Sequence, residues 1–355
     1  MKENDLTDRL RAEVEAAIAA GEALRIRGGD TRAFLGRAVT APRVIDTRDH
    51  CGIVLYEPSE LAITVRSGTP LDALETALAA QRQALPFEPP RFGAGSTIGG
   101  AVASGLAGPR RPLNGGVRDS LLGVRIVNGK GELLRFGGQV MKNVAGYDLS
   151  RPMAGAHGTL GLLLEVSLKL RPLPPAGLTL VRRMEKTAAL ARLRQLYQRP
   201  QNLSGALWVD GHLYLRLEGY PEAIAARAAE LGGDRLDNAD AFWRAVNDQT
   251  HPFFDGDTPL WRLVVKPASG DIGPPGDEMI DWLGGQRWIR SDADADTLRR
   301  LATTHGGHAT RFRGEAAIDS PFHPLDPVAL ELHRRLKRAL DPAGLFNPGR
   351  LYAAL

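Results

Sequence analysis

Cysteine is almost missing from this sequence: Cys51 is the single one in 355 residues. That excludes an internal disulfide framework, and it excludes an iron–sulfur cluster held by this chain, which would need several thiolates. Aromatic residues are scarce, at 6%. Basic residues occur as pairs, such as Arg110–Arg111, Arg182–Arg183 and Arg334–Arg335, and never as a tract. The formal charge of +4 therefore reads as a bias toward arginine, which supplies 38 of the 45 cations. Nucleic acid is not an expected partner, because its binders gather charge on one face with aromatics between. No apolar run approaches the roughly 18 residues of a membrane-spanning helix; the best, LGLLLEV, is broken by Glu165. The opening MKENDLTDRLRAEVEAA is charged and amphipathic, without the apolar centre of a signal peptide. Together these point to a cytoplasmic chain, or one peripheral to an inner membrane through partners.

Two phosphate-binding signatures are also missing. There is no G-x-x-x-x-G-K-[ST]. Gly93-Ala94-Gly95-Ser96-Thr97-Ile98-Gly99 misses G-x-G-x-x-G by one residue, and it follows the proline-stiffened run Ala84–Pro90 instead of a strand.

Glycine, by contrast, is abundant where it matters. Seventeen of the forty glycines lie between Phe92 and Gly161, in bursts separated by apolar, strand-like runs. Glycine loses more backbone freedom on folding than any other residue. Such density implies either a loop-rich region or peptide N–H groups gathered around a phosphate-bearing cofactor. A smaller cluster, Arg27-Gly28-Gly29-Asp30-Thr31, ends the strand-like Ala23–Ile26 and suits either a diphosphate or a plain turn.

Read in order, Leu6, Leu10, Val14 and Ile18 recur every four residues before Gly21, predicting a helix with a glycine cap. Strands are predicted at Val44–Asp46, Ile53–Tyr56 and Glu60–Val65, then a helix with Leu71, Leu74 and Leu78 on one face. After Pro172-Leu173-Pro174-Pro175 glycine thins out, which marks a domain boundary. Beyond it, Asp210-Gly211 between two apolar runs predicts a hairpin. Helices are expected at Glu222–Leu231, Asp240–Asn247 and Asp294–Thr303, and strands at Trp261–Val265 and His308–Phe312. Asp292, Asp294 and Asp296 lack the glycine and glutamate of a calcium loop, so they read as helix caps. His305-Gly306-Gly307-His308 lacks nearby carboxylates, and no metal is expected.

In sequence, Arg27–Thr31, Ser96–Gly100 with Ala103-Ser104-Gly105, Gly116-Val117-Arg118-Asp119, and Gly155–Gly161 resemble the FAD-binding domain of the vanillyl-alcohol oxidase / p-cresol methylhydroxylase family. Asp341–Arg350 (DPAGLFNPGR) is similar to that family's closing motif. The run Gly138–Asp148 and this C-terminus resemble, within the family, the FAD-binding subunits of bacterial glycolate oxidase. The resemblance is strong over the first 174 and last 35 residues and weak between.

The resemblance implies an α+β chain: a two-part FAD-binding domain of p-cresol methylhydroxylase type over residues 1–174, a smaller cap of antiparallel sheet and helices over 175–318, and a segment 319–355 returning to the flavin region. It implies cofactor contacts from Arg27, Gly28, Gly29, Asp30, Thr31, Gly95, Ser96, Thr97, Gly99, Gly100, Ser104, Gly105, Arg118, Asp119, Gly158, Leu160, Gly161 and Asn347. Peptide N–H groups of Gly28–Thr31 and near Thr97–Gly100 would hold the diphosphate. Many relatives bind the flavin covalently through a histidine in the first loop; Asp30 stands there, so non-covalent FAD is expected, with His50 and Cys51 as ordinary packing.

The implied activity is oxidation of glycolate, or a similar small 2-hydroxy acid, to its oxo acid, with electrons passing to an iron–sulfur subunit beside a paralogous flavoprotein. Two alternatives are an assembly or electron-relay flavoprotein and an FAD oxidase of another alcohol or sugar. Such chemistry asks for a base and a carboxylate-binding cation. Arg311, Arg313 and His323, with His308 nearby, are the candidates. The histidine-rich site and Glu-His-Gly motif of D-2-hydroxy acid dehydrogenases are not visible; Glu331-Leu332-His333 does not match.

Overall fold

In the computed structural model, which describes residues 2–139, 148–314 and 320–355, the helix expected near the N-terminus is α1 (Thr7–Ala20). Leu10, Val14 and Ala17 are fully buried on one face, and Gly21 closes the helix at φ 63°. A side chain is unfavourable in that left-handed conformation, which is why glycine ends it. Most of the Gly138–Asp148 motif, residues 140–147, lies outside the described residues.

The chain divides into two compact units. Residues 1–107, 115–173 and 324–355 form one, and residues 108–114 with 174–323 form the other. Gly108–Asn114, which sits in the glycine-rich stretch by sequence, belongs to the second unit: the indole of Trp282 donates to the Gly108 carbonyl at 3.0 Å.

In the first unit β1 (Leu24–Arg27) and β2 (Arg43–Asp46) pair in parallel. A second sheet is antiparallel, with β3 (Ile53–Glu57), β4 (Ala62–Arg66), β6 (Leu121–Val127), β7 (Leu133–Gly137) and β8 (Leu162–Lys169) in the order β3-β4-β8-β6-β7. A short pair joins β5 (Gln83–Ala84) to β9 (Arg171–Pro172). Central β8 is buried along nearly its whole length and serves two cores. Leu162 and Leu164 pack with α1, β1 and Phe346. Val166 and Leu168 pack with α2 (Leu71–Ala80) and α3 (Ile98–Ser104).

Helices α4 (Arg111–Asn114) and α5 (Val117–Ser120) are single turns. The last helix, α10 (Pro327–Leu340), is started by Asp326, whose side chain accepts from the Val328 and Ala329 N–H groups.

The second unit is built on one eight-stranded antiparallel sheet, ordered β13-β10-β12-β11-β15-β16-β14-β17. Its strands are β10 (Ala176–Arg183), β11 (Leu203–Val209), β12 (His212–Gly219), β13 (Asp234–Arg235), β14 (Leu260–Val264), β15 (Asp277–Asp281), β16 (Gln286–Arg290) and β17 (His308–Arg313). Helices α6 (Lys186–Gln198), α7 (Pro221–Leu231), α8 (Ala239–Asp248) and α9 (Ala295–Thr304) complete it. Leu298 and Ala302 of α9 share a core with Trp261, Leu263, Ile289 and Ala309 of the sheet. The chain is thus α+β, with the antiparallel sheet expected of its second half.

Candidate functional site

The loop after β1 forms a cleft of about 100 Å³, lined by Arg25, Gly28, Gly29, Asp30, Thr31, Arg32, Thr97, Gly100, Ser104, His157, Asn347 and Arg350 among others. Eight of the residues implied by the family resemblance meet there: Gly28, Gly29, Asp30, Thr31, Thr97, Gly100, Ser104 and Asn347. Arg25, Arg32 and Arg350, with Ile26, Ala33, Val39, Ala103 and His157, are additional lining residues that the motif reading missed.

The backbone donors are unequally occupied. The Ile98 N–H donates to Thr69 O, the Gly99 N–H to Ser67 O, and the Gly100 N–H to Thr97 Oγ1. Contrary to the expectation from sequence, the amides at the start of α3 are taken up within the protein. Among the described residues, no acceptor meets the N–H groups of Gly28, Gly29, Asp30 and Thr31. Four successive unpaired donors on a cleft wall make an anion cradle.

Close packing explains two of the glycines. A Cβ on Gly29 would overlap the Gly95 carbonyl oxygen, so the two glycine-rich loops touch through bare backbone. A Cβ on Gly99 would stand 2.7 Å from Ser67 Cβ and O; that glycine serves packing on β4's exit and does not face the cleft. Gly95 is open on its Cβ side, Gly105 abuts Gly155, Gly158 abuts the Asn347 amide, and Gly161 abuts Val127 O.

The other implied residues hold the frame. Ser96 Oγ accepts from Arg32 Nη1 at 2.7 Å. Asp119 accepts the Gly116 N–H at 2.8 Å, capping α5. Arg118 and Leu160 line a separate cavity of about 370 Å³ with Arg151, Leu336 and Lys337. His50 is fully buried and Cys51 nearly so; neither lines the cleft.

The closing motif ties this loop down. Asn347 accepts the Ile26 N–H at 2.9 Å and donates to His157 O at 2.7 Å, and Arg350 donates to the carbonyls of Ala33 and Arg37. Charge in the lining favours an anion: three arginines face one carboxylate, Asp30, which Arg25 already holds at 2.6 Å. Burial, and then Arg350, push the His157 imidazole down to about 3, so it stays neutral.

Arg27 is not part of the cleft lining and is bound to Asp46 at 2.8 Å. Burial alone would raise the Asp46 carboxyl, but hydrogen bonds from Arg48 and Arg27 outweigh it and hold it at about 2. A depressed carboxyl stabilises the fold above its unfolded value near 4, and the contribution fades as pH falls toward 2. Asp46→Asn is therefore expected to lose about 1 kcal/mol at pH 7, after discounting for partial exposure, and almost nothing at pH 2. Urea midpoints at the two pH values measure this; equal losses at both would contradict it.

The catalytic candidates fall in the second unit. Arg311 is buried on β17, two residues from Ala309, on the face that packs against α9. Arg313 ends the same strand, half-buried, and burial lowers its guanidinium. His323 Nδ1 accepts the Ala309 N–H at 3.3 Å; burial, then Arg299, lowers its imidazole.

Comparison with known proteins decides the family. An FAD binding domain family matches residues 5–137, and the C-terminal domain of FAD linked oxidases matches residues 323–351. The chain is 45% identical to the glycolate oxidase subunit GlcE of Escherichia coli (strain K12) over 355 residues, the whole of both chains. This chain belongs to the family of the glycolate oxidase subunit GlcE, among the FAD-linked oxidases. It is also 33% identical to the glycolate oxidase subunit GlcD of Bacillus subtilis (strain 168) over 168 residues, 47% of this chain and 35% of that one. In fold it is similar to alkyldihydroxyacetonephosphate synthase, with a TM-score of 0.67 at 16% identity, covering 97% of this chain and 76% of the other.

FAD is the cofactor of this family, and the cleft suits its anionic part. Four unpaired amides, a wall of glycine and an excess of arginine are the donor set a diphosphate requires. No helix among the described residues is long and apolar enough to cross a membrane.

Proposed function

We propose that this chain is the FAD-binding subunit of a glycolate oxidase complex, holding FAD non-covalently while glycolate is oxidised to glyoxylate. The observation that carries this reading is the row of free N–H groups from Gly28 to Thr31 on an arginine-lined cleft, in a chain alike end to end with such a subunit. Bound FAD supplies the two-electron acceptor for the hydride of the alcohol carbon. The chain's own part is to bind and orient. Gly28–Thr31 donate to the diphosphate, Arg25, Arg32 and Arg350 offset its charge, and Asn347 fixes β1 against the His157 segment. FAD is assigned to residues 1–174 with 319–355, and substrate to 175–318. Asp30 stands in place of a linking histidine and is already held by Arg25. Electrons then leave for an iron–sulfur subunit, since one cysteine cannot hold a cluster. The complex works in the cytoplasm or docks on the inner membrane through that partner.

A second reading, an electron-relay flavoprotein beside a paralogous catalytic subunit, is favoured by one observation: the sequence carries no Glu-His-Gly motif of the D-2-hydroxy acid dehydrogenases. Acid precipitation of the purified chain is expected to leave the yellow chromophore in solution. Anaerobic glycolate is expected to bleach the assembled complex quickly and the isolated chain slowly. Flavin in the pellet sinks non-covalent binding, an unbleached complex sinks the glycolate reading, and rapid bleaching of the isolated chain sinks the relay.

A further inference from the structure

The face of the second unit's sheet opposite α9 carries a cationic group that none of the motifs accounts for. Arg262 on β14 pairs in register with Trp288 of β16 and Thr310 of β17. Side chains alternate along a strand, so Arg262 projects away from Trp261 and Leu263, which pack toward α9. Its Nε donates to Gln286 Oε1 at 2.6 Å, and Gln286 Nε2 donates to Asp281 Oδ2 at 3.2 Å. The guanidinium lies 4.9 Å from the Trp282 ring and 5.9 Å from the Trp288 ring, while Arg111 stacks on Trp282 at 4.2 Å.

One edge of Arg262 is thus anchored and its plane rests on indole. Its two terminal nitrogens meet no acceptor among the described residues. Arg111 places positive charge and Asp281 negative charge within reach of Arg262. Desolvation, then Arg111, lower the Arg262 guanidinium to about 9, against the pull of Asp281. Desolvation, then Arg262, His323 and Arg111, lower the His308 imidazole to about 4.

We infer that Arg262, with Arg111 and His308 beside it, binds the carboxylate of a small organic acid. Taking that acid as a 2-hydroxy acid rests on the functional reading above; the site itself rests on the geometry. The open edge of the guanidinium presents two parallel N–H donors, which match the two oxygens of a carboxylate. Gln286 is a positioning residue: it turns that edge outward by occupying Nε. Trp282 and Trp288 lie against the guanidinium, which leaves its open edge as the binding edge.

The test is calorimetric titration of the FAD-loaded full chain with oxalate, a carboxylate that cannot be oxidised as an alcohol, and with inorganic phosphate. Oxalate is expected to bind the wild type, and Arg262→Gln to weaken it by about ten- to a hundredfold. Arg262→Lys keeps charge but not the fork, and a several-fold loss is expected; it stands in if the glutamine variant fails to fold. Gln286→Leu is expected to weaken oxalate, and Gln286→Glu, which restores an acceptor for Nε, to recover it. Unchanged affinity in both Arg262 variants, no oxalate binding to wild type, or phosphate binding as tightly as oxalate would each overturn the proposal. Failure here with FAD retained leaves the flavoprotein reading intact. A chain that binds oxalate through Arg262 but no FAD supports this site and sinks that reading.

Discussion

Gly100→Val is expected to give a folded chain that no longer retains FAD. Gly100 lines the cleft, and a Cβ there would stand 3.3 Å from Thr97 Oγ1 and 3.6 Å from Arg32 Nη1. Those contacts are tight but can yield by a few tenths of an ångström. The valine methyls beyond them fill part of the cleft, where the proposed function puts the FAD diphosphate. A misfit of that kind is worth about 1–3 kcal/mol, or roughly ten- to a hundredfold in affinity. Gly99→Val is the contrast. Its Cβ would meet Ser67 backbone at 2.7 Å, where nothing can move cheaply, so loss of the fold is expected instead of loss of binding alone. Flavin content and circular dichroism of both variants separate the two effects. A Gly100→Val chain with full FAD occupancy would remove this wall from the cofactor site.

Asp341→Ala is expected to cost about 3–5 kcal/mol, a large part of the 5–15 kcal/mol typical of a folded protein. Asp341 is 1% exposed and receives Lys337 Nζ at 2.7 Å, Leu345 N–H at 3.1 Å and Phe346 N–H at 2.9 Å. Lys337 Nζ also reaches the carbonyls of Thr159 and Phe346. Removing the carboxylate leaves a buried ammonium and two buried N–H groups without their partner. Burial already lowers the Lys337 ammonium, with Asp341 working against that shift. Glu331→Ala is the control. Its carboxylate pairs with Arg335 and Arg338 in solvent, and no measurable shift of the urea midpoint is expected. Urea unfolding measures both; an Asp341→Ala loss below 1 kcal/mol would show that the closing motif does not depend on this ion pair.

Local signals were readable where a single residue decides a local conformation. The four-residue spacing of Leu6, Leu10, Val14 and Ile18 gave α1, and Gly21 its end. Asp210 and Gly211 both adopt positive φ in the predicted hairpin between β11 and β12. Asp294 caps α9 by accepting the Thr297 N–H. What was hidden depends on partners far along the chain. Helix α3 lies inside the densest glycine stretch, where propensity argues against it. Thr97 and close contact with Ser67 override that bias. Strands β15 and β16 escaped notice beside Gly270, Gly273, Gly276 and the tight Trp282–Gly285 connection.

The cofactor cleft shows the same division. Its glycines and Asn347 stand in recognisable motifs, whereas Arg25 and Arg32 look like any of 38 arginines. Arg262 is less legible still: its role comes from Gln286, Trp282 and Arg111, brought together across 175 positions of chain.

The order in which these parts leave the ribosome follows from how the first unit is knotted to its own tail. Leu24 bridges Phe346, and Leu340 and Phe346 complete cores begun by α1 and α2. The second unit, apart from residues 108–114, is one continuous stretch that emerges earlier. The ribosome therefore completes residues 174–323 while the first unit still lacks residues 324–355, Phe346 among them. A product terminated before Asn347 lacks the residue that holds the Ile26 N–H and the His157 carbonyl, and is expected to stay colourless.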